Sequence, residues 1–310
     1  MSRRRKNALL QRVEYVLYRA VARAVRSASN ESLRRWGTRL GNLGRIVLRG
    51  RDRLAMRNLA ATFPEKSETE RRHIVDECWR HFGRVALATI QMQHLPIEEI
   101  PSRCPFVNVE LVENAIARGR GLVLLSAHFG AWEIAGLAIM ALVKSVSTVA
   151  RPLDNELLER DLVALRARTG AEVVDRKRAA RALLKTLSQG GTIVLLPDQA
   201  VQPREGILVP FLGRPAWTTD APAKLALRQV AQIVFGFCIP DATGHHLEFE
   251  EPIRIEQLGE DEKNAEALTK RINDVISRRI ADRPELWLWM HDRWKGNASG
   301  EIEVKAADDL

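Results

Sequence analysis

The stretch RGLVLLSAHFGAWEIAG, residues 120–136, constrains the fold and the site of this chain more than any other. Its first half, Leu122–Ser126, is a short apolar run that predicts a buried strand, and the residues after Gly130 predict an apolar helix. A strand followed by a turn and a helix is the unit from which parallel α/β sheets are built. Because His128 comes where the strand ends, we expect the functional site there.

His128 and Glu133 are five positions apart, and this spacing limits how they can cooperate. On one continuous helix their side chains would point about 140° apart. If His128 lies on the loop before the helix, the Glu133 carboxylate can fold back and accept the imidazole Nδ1–H. This predicts a general base at Nε2, near oxyanion donors at the helix N-terminus, which suits acyl transfer to a hydroxyl. A histidine satisfied within the core is the plainer interpretation of the same pattern.

The rest of the chain predicts an α/β fold with a largely parallel central sheet flanked by helices. A helical hairpin is expected from about Ser67 to His94, before Pro96. The 208–218 stretch is interpreted as a loop, and the strand containing His245 and His246 alternates its side chains, so no metal site is predicted. The predicted strands are Leu122–Ser126, Val146–Ala150, Glu172–Val174, Thr192–Leu196, Ile233–Cys238 and an antiparallel Leu247–Glu250.

Positive charge is concentrated at the N-terminus. Residues 1–57 hold 16 Lys and Arg against three acidic residues, a net +13 in a chain whose total is +9, so the remainder is mildly acidic. Such an imbalance indicates an anionic partner, either a membrane surface or nucleic acid. Nucleic acid is not expected, because no aromatic residues interleave with the charges and no binding module is recognisable.

Residues 8–28 predict a basic amphipathic helix that lies in the headgroup plane of a membrane. They lack the unbroken apolar run of about 18 residues that a spanning helix needs, and also the apolar core of a secretory signal. The alternative is an ordinary surface helix packed on the domain. Its apolar stripe comprises Leu9, Leu10, Val13, Val16, Leu17, Ala20, Val21, Ala24 and Val25, interleaved with Arg12, Arg19, Arg23 and Arg26.

The three cysteines, Cys78, Cys104 and Cys238, are scattered without the spacing of metal ligands. Neither a disulfide framework nor a zinc site is therefore indicated, which suits a reducing, cytoplasmic setting. No metal or resident cofactor is expected.

The sequence around His128, Leu-Leu-Ser-Ala-His-Phe-Gly-Ala-Trp-Glu, resembles the histidine motif of the late lipid A acyltransferases. These bacterial inner-membrane enzymes acylate a glycolipid from acyl carrier protein, and the related mycobacterial phosphatidylinositol mannoside acyltransferases carry a variant of the motif. The resemblance covers roughly residues 57–295. The other motifs that carry the resemblance are Arg57-Asn58-Leu59 with Phe63-Pro64, Arg151-Pro152, Arg166-x3-Gly170, Asp198-Gln199, a Val-Pro-Phe loop in which Leu212 replaces an aromatic residue, and the Trp-rich stretch Pro284–Lys295.

The resemblance implies roles for the site residues. Its catalytic residues would be His128 and Glu133, and its substrate-binding residues would be Arg166, Asp198, Arg151 and Gln199. Asp198 follows a predicted strand and should reach the same carboxyl edge as His128, where it is expected to hold Arg166. A turn aspartate and a helix-surface arginine are the plainer alternatives. Trp287, Trp289 and Trp294 would line a membrane interface or cap the core, and core is expected for two of the three.

The implied function is transfer of a fatty acyl chain from acyl carrier protein, or CoA, to a hydroxyl of a membrane glycolipid such as a lipid A precursor. No acyl-enzyme is expected, because Gly-x-Ser-x-Gly is absent and no cysteine adjoins His128. Acylation of glycerophospholipids or phosphatidylinositol mannosides, and a catalytically silent membrane-peripheral binding protein, remain alternatives. The expected location is the cytoplasmic face of a bacterial inner membrane, as a peripheral or monotopic protein.

Three parts of the chain are predicted. Residues 1–57 form the membrane-associating segment, residues 58–295 the acyltransferase domain, and residues 296–310 a polar tail.

Overall fold

The structure is a computed structural model that describes residues 7–150, 152–174, 179–241 and 244–296, apart from the side chains of residues 166, 167 and 169. Its helices are α1 Ala8–Arg26, α2 Asn30–Val47, α3 Arg49–Thr62, α4 Glu68–Met92, α5 Ile100–Arg103, α6 Val109–Ala117, α7 Trp132–Leu142, α8 Glu156–Thr169, α9 Ala179–Ser188, α10 Ala221–Gln229 and α11 Ala265–Asp282. Its strands are β1 Phe106–Val107, β2 Leu122–Leu125, β3 Val146–Val149, β4 Glu172–Val174, β5 Thr192–Leu195, β6 Ile207–Phe211, β7 Arg214–Thr218, β8 Gln232–Pro240 and β9 His245–Ile253.

Within the described ranges, seven strands form one sheet in the order β1-β9-β8-β2-β5-β3-β4. Strands β8, β2, β5, β3 and β4 are mutually parallel, while β9 runs antiparallel to β8 and parallel to β1. The predicted α/β class, the six predicted strands and the antiparallel direction of the last one are confirmed. Because β2 and β5 are neighbours near the middle of the sheet, the loops that follow them lie side by side.

The hairpin β6–β7 replaces the loop that was expected at 208–218. The two strands pair antiparallel from Ile207 opposite Thr218 to Phe211 opposite Arg214. The turn residues, Leu212 and Gly213, have φ of 50° and 74°, as a tight hairpin requires. The loop prediction was wrong. Leucine is rare in this conformation and proline is rare within strands, so neither residue type indicated a hairpin here.

A single helix, α4, replaces the helical hairpin that was expected between Ser67 and His94. It begins with a capping box in which Ser67 and Glu70 satisfy each other's backbone N–H groups, and it continues unbroken to Met92. The glycine in its middle does not break the helix. An added Cβ at Gly83 would lie 2.1 Å from the Gly37 carbonyl oxygen, so this position lets α2 touch α4 backbone to backbone.

The N-terminal helices present apolar side chains outward. The predicted helix at 8–28 is confirmed as α1, but Val25 is the one member of its predicted apolar stripe that is buried, next to a second buried residue, Ala22. Within the described residues, no helix combines the length and the apolarity needed to cross a membrane. The exposed large apolar residues of α1 and α2 are Leu9, Leu10, Val13, Val16, Leu17, Val21, Trp36, Leu40, Leu43, Ile46 and Val47.

The C-terminal tryptophans lie in the core. Trp287, Trp289 and Trp294 are buried in the large apolar cluster on one face of the sheet. The core interpretation therefore holds for all three, one more than expected, and the alternative of an interfacial belt is wrong.

Candidate functional site

Two loops at the carboxyl edge of the sheet bring His128 and Asp198 together. One loop follows β2, the other follows β5, and the two strands pair in parallel. The Nδ1 atom of His128 lies 2.9 Å from Oδ1 of Asp198, and the backbone N–H of His128 donates to Oδ2 at 2.9 Å. The expectation that both residues share this edge is confirmed.

The prediction that Glu133 accepts a hydrogen bond from the His128 imidazole was wrong. Asp198, and not Glu133, accepts from Nδ1 of His128. Helix α7 begins at Trp132, so Glu133 projects from its first turn and its Oε1 accepts from the Trp132 indole at 3.2 Å. Glu133 is exposed and lines the cavity beside His128, and its charge still acts on the imidazole through space.

The electrostatics of the pair favour a charged hydrogen bond. Burial alone would lower the pKa of His128, but the adjacent Asp198 carboxylate and its hydrogen bond more than offset this, so the pKa is raised. Burial alone would raise the pKa of Asp198. The interactions with His128 and with the Trp287 indole outweigh that cost, and the pKa of Asp198 is lowered.

The other imidazole nitrogen faces Gln199. Nε2 of His128 lies 3.0 Å from the Gln199 side-chain nitrogen. With Nδ1–H donated to Asp198, neutral Nε2 carries a lone pair that accepts the amide proton. Gln199 therefore occupies the position from which a substrate hydroxyl would approach the base.

The tight turn after His128 depends on Gly130. This residue has φ of 60°, and an added Cβ would lie 2.0 Å from the carbonyl oxygen of Cys238. The N–H groups of Gly130 and Ala131 donate to the carbonyls of Leu286 and Cys238. They are therefore not available as oxyanion donors, and the expected role of the first turn of α7, whose start has no side-chain cap, stays a prediction.

The Trp-rich segment supplies contacts that the sequence did not predict. The Trp287 indole donates to Oδ2 of Asp198 at 2.9 Å. His291 accepts from the backbone N–H of Ala200 at 3.2 Å through Nε2. Asn58 of α3 donates to the carbonyls of Trp289 and His291, both at 3.0 Å. The resemblance marked these motifs as recurrent, but it gave their side chains no role in the site.

A cavity of about 1200 Å³ opens beside the pair. His128, Glu133 and Gln199 line it, and so do apolar residues of β3, α7 and α8 and the basic residues Lys224 and Arg228 of α10. A cavity of this size accommodates a long apolar chain together with polar groups at its mouth.

Two predicted substrate-binding residues lie outside the description. Arg151 falls on an undescribed position, and only the backbone of Arg166 is described, as part of α8. The pairing of Arg166 with Asp198 therefore stays a prediction. Both oxygens of Asp198 already accept hydrogen bonds, from His128 and Trp287.

Asn155, four residues after Arg151, has a structural role. Its Oδ1 accepts from the backbone N–H groups of Leu157 and Leu158 at the start of α8. Its amide donates to the Gln11 carbonyl and to Glu14, which ties α1 to α8.

The described residues contain no group of three or more His, Cys, Asp or Glu arranged to hold a metal ion. They do contain an imidazole, a buried carboxylate that orients it, and an adjoining cavity with an apolar wall. Such a set can remove a proton from a hydroxyl beside a bound acyl chain.

Comparisons with known proteins agree with the geometry. A family model described as bacterial lipid A biosynthesis acyltransferase matches residues 2–296. The chain is 27% identical over 269 residues to the lipid A biosynthesis lauroyltransferase of Escherichia coli K12, covering 86% of each protein. It is 26% identical to the myristoyltransferase of the same organism, covering 88% of this chain and 84% of the relative. A phosphatidylinositol mannoside acyltransferase of Mycolicibacterium smegmatis is 26% identical, covering 64% of this chain and 65% of the relative.

Proposed function

Since the chain belongs to the bacterial lipid A biosynthesis acyltransferase family, we propose that it moves a fatty acyl chain from a thioester to a hydroxyl of a lipid A precursor. The observation that carries this proposal is the His128–Asp198 pair beside a large cavity with an apolar wall. The proposed donor is acyl carrier protein, with CoA as the alternative thioester.

The reaction is a direct transfer assisted by a general base. Nε2 of His128 takes the hydroxyl proton while the hydroxyl oxygen bonds to the thioester carbonyl carbon. The resulting oxyanion collapses, the carbon–sulfur bond breaks, and the thiolate leaves with a proton returned by the imidazolium. Asp198 stabilises that imidazolium and keeps Nδ1 protonated. Gln199 gives up its hydrogen bond to Nε2 when the acceptor hydroxyl enters.

Glu133 has a secondary part in this proposal. Its carboxylate is exposed on the cavity wall and has no hydrogen bond to the imidazole among those described. We assign it to holding a hydroxyl of the acceptor and to adding negative potential near the imidazolium. Arg166 and Arg151 remain proposed ligands for anionic parts of the substrates.

A covalent acyl-enzyme is not part of the proposal. The three cysteines are buried, and burial raises the pKa of Cys78 to about 12, so that thiol is a poor nucleophile. The acceptor hydroxyl attacks the thioester itself.

The apolar part of the cavity is proposed to hold the acyl chain. Its walls come from α7, β3 and α8, with Leu137, Met140, Val146 and Leu165 among the lining residues. An apolar channel that begins beside His128 suits a fatty chain whose thioester carbonyl must rest at the base.

We further propose peripheral attachment to an anionic membrane through α1 and α2. The outward faces of these helices carry large apolar residues, with Leu9 69% and Val47 68% exposed. In this proposal, arginines of the same helices, including Arg12 and Arg23, contact lipid phosphates. Each such cation near an anionic surface contributes about 1 kcal/mol, which salt weakens.

The function is tested with the purified full-length chain in detergent. Acyl-acyl carrier protein and acyl-CoA are offered separately, each with a lipid A precursor, a phosphatidylinositol mannoside or a lysophospholipid, and products are read by mass spectrometry. We expect one acyl chain added to the lipid A precursor, and a loss of about 10² to 10⁴ in rate for His128→Ala.

Transfer only to one of the other two acceptors would replace the proposed substrate class and keep the mechanism. No transfer to any acceptor, or more than a tenth of wild-type activity in a folded His128→Ala protein, would overturn the proposal.

A further inference from the structure

The segment Leu286–Arg293, which we name the closing segment, lies against the loop that carries His128. The Gly130 N–H donates to the Leu286 carbonyl at 2.8 Å, and the Leu288 N–H donates to the His128 carbonyl at 3.0 Å. Phe129 and Trp287 form an isolated antiparallel bridge between these hydrogen bonds. The closing segment thus acts as a short strand that fixes the backbone of the histidine loop.

The same segment also reaches the loop that carries Asp198. The Trp287 indole donates to Oδ2 of Asp198 at 2.9 Å, and His291 accepts from the Ala200 N–H at 3.2 Å. The two loops come from strands about 70 residues apart in sequence, and one segment close to the C-terminus holds both of them. Their relative position therefore depends on this segment.

We propose that Trp287 is a positioning residue for acyl transfer, whose indole N–H fixes the Asp198 carboxylate with Oδ1 facing Nδ1 of His128. This inference rests on the proposed function of the His128–Asp198 pair. Trp287 acts through Asp198 and touches no reacting atom.

Burial explains why the indole matters. Asp198 is 1% exposed, so solvent cannot supply the hydrogen bonds that its two oxygens need. Oδ2 receives the His128 backbone N–H and the Trp287 indole, which together leave Oδ1 for the imidazole. An indole nitrogen only donates, so it favours the ionised carboxylate over the protonated one.

The surroundings of Trp287 keep its indole in one orientation. The ring is 1% exposed and packs edge-on against Trp289, with ring centroids 4.7 Å apart, and against Phe211 at 5.6 Å. A side chain held on several sides can orient a carboxylate without losing further conformational freedom.

Trp289 provides a matched control. It is as buried as Trp287 and belongs to the same segment, but its indole donates to the Pro284 carbonyl at 2.7 Å and not to the site. Substitution of either tryptophan by phenylalanine removes one indole hydrogen bond and part of one ring. Only Trp287→Phe changes a partner of Asp198.

The experiment compares Trp287→Phe, Trp289→Phe, His128→Ala and wild type in the full-length chain. Melting temperature, kcat, KM and the pH dependence of kcat/KM are measured. We expect Trp287→Phe to lower kcat about tenfold with little change in KM, because a carboxylate that is no longer held spends less of its time with Oδ1 facing Nδ1 of His128. A carboxylate that is less well oriented also stabilises the imidazolium less, so the acid limb of the kcat/KM profile should move down by about half a pH unit.

Trp289→Phe keeps an aromatic ring against Trp287 and leaves every partner of Asp198 in place, so it should keep the wild-type acid limb and a kcat within about twofold, whatever it does to melting temperature. If Trp287→Phe does not fold, a benzothiophene analogue at position 287 keeps the ring shape, lacks the N–H, and decides the matter by the same measurements. Equal kcat and an equal acid limb for the position 287 and position 289 variants, with His128→Ala inactive, would overturn this inference alone. An active His128→Ala would instead overturn the proposed function.

Discussion

The carboxyl edge of the sheet and the N-terminal helices use buried and exposed residues in opposite ways. At the sheet edge, Asp198 is 1% exposed and both of its oxygens accept hydrogen bonds from His128 and Trp287. On α1 and α2, apolar residues such as Leu9 and Leu43 are more than half exposed. A buried charge has to be fully paired, and an exposed apolar face has to find an apolar partner outside the chain. The first region suits chemistry, and the second suits docking.

The largest effect on activity is expected from Asp198→Asn, which removes the charge of the buried carboxylate. The pKa of His128 is raised by Asp198, and a general base works only when neutral, so wild-type activity should rise through a pH above the ordinary histidine value of about 6.5. Removal of the negative charge should move the acid limb of kcat/KM to lower pH. It should also reduce kcat by about 10² to 10⁴, because the imidazolium loses its partner.

A pH profile and a double variant check that expectation. His128→Ala with Asp198→Asn should lose little more than His128→Ala alone, since the two residues act as one unit. Additive losses, or an unchanged acid limb in Asp198→Asn, would separate the two residues.

The docking region is tested by Leu9→Ser, Val16→Ser and Leu17→Ser together. These side chains are 69%, 64% and 61% exposed, so their loss should hardly affect folding. Partition onto anionic vesicles should weaken about hundredfold, because each apolar side chain contributes on the order of 1 kcal/mol when partly buried in lipid. Vesicle cosedimentation at low and high salt measures the change.

A control triple variant keeps the number of apolar losses constant. Ile116, Val163 and Leu208 are also exposed but belong to α6, α8 and β6. Their replacement by serine should leave vesicle binding unchanged. Equal weakening in both triple variants would show that α1 is not the docking surface.

Glu133→Gln tests whether an exposed carboxylate contributes less to activity than the paired Asp198 carboxylate. Because Asp198 orients the imidazole, we expect the loss of the Glu133 charge to cost only about tenfold in kcat. The acid limb should move slightly to lower pH, since Glu133 adds to the raised pKa of His128. Steady-state rates across pH decide this, and a loss as large as that of Asp198→Asn would return Glu133 to a central role.

The smallest expected effect on total rate comes from Gly136→Leu, which probes the cavity. Gly136 lines the cavity on α7, and an added Cβ there meets no atom within 4 Å. A leucine at this position should project into the proposed acyl channel and lower the preferred chain length, with a change of a few-fold at most for short donors.

Competition between acyl donors of different length reads out that preference by mass spectrometry. Gly50 of α3 is an exposed helical glycine that does not line the cavity. An added Cβ at Gly50 also meets no atom within 4 Å. Gly50→Leu should therefore keep the wild-type preference. An unchanged preference in Gly136→Leu would place the acyl chain elsewhere.

The strand predictions succeeded where the information was local. Strands β2 and β5 are short, largely apolar runs that end shortly before polar residues. Burial on both sheet faces requires that composition. The hairpin β6–β7 was missed because its turn places Leu212 at a positive φ, which no local preference of leucine predicts.

Local sequence patterns alone predicted that His128 would lie at the carboxyl edge of a parallel sheet and that α1 would be basic and amphipathic. Both conclusions depend on periodicity and on the way parallel strands end. The tertiary structure decided the partner of the imidazole, because the adjacency of β2 and β5 puts Asp198, and not the nearer Glu133, against Nδ1. It also decided that Trp287 would hold that carboxylate, a contact between residues 89 positions apart. Contacts at such separation are set by strand order and packing, which a pattern of neighbouring residues does not encode.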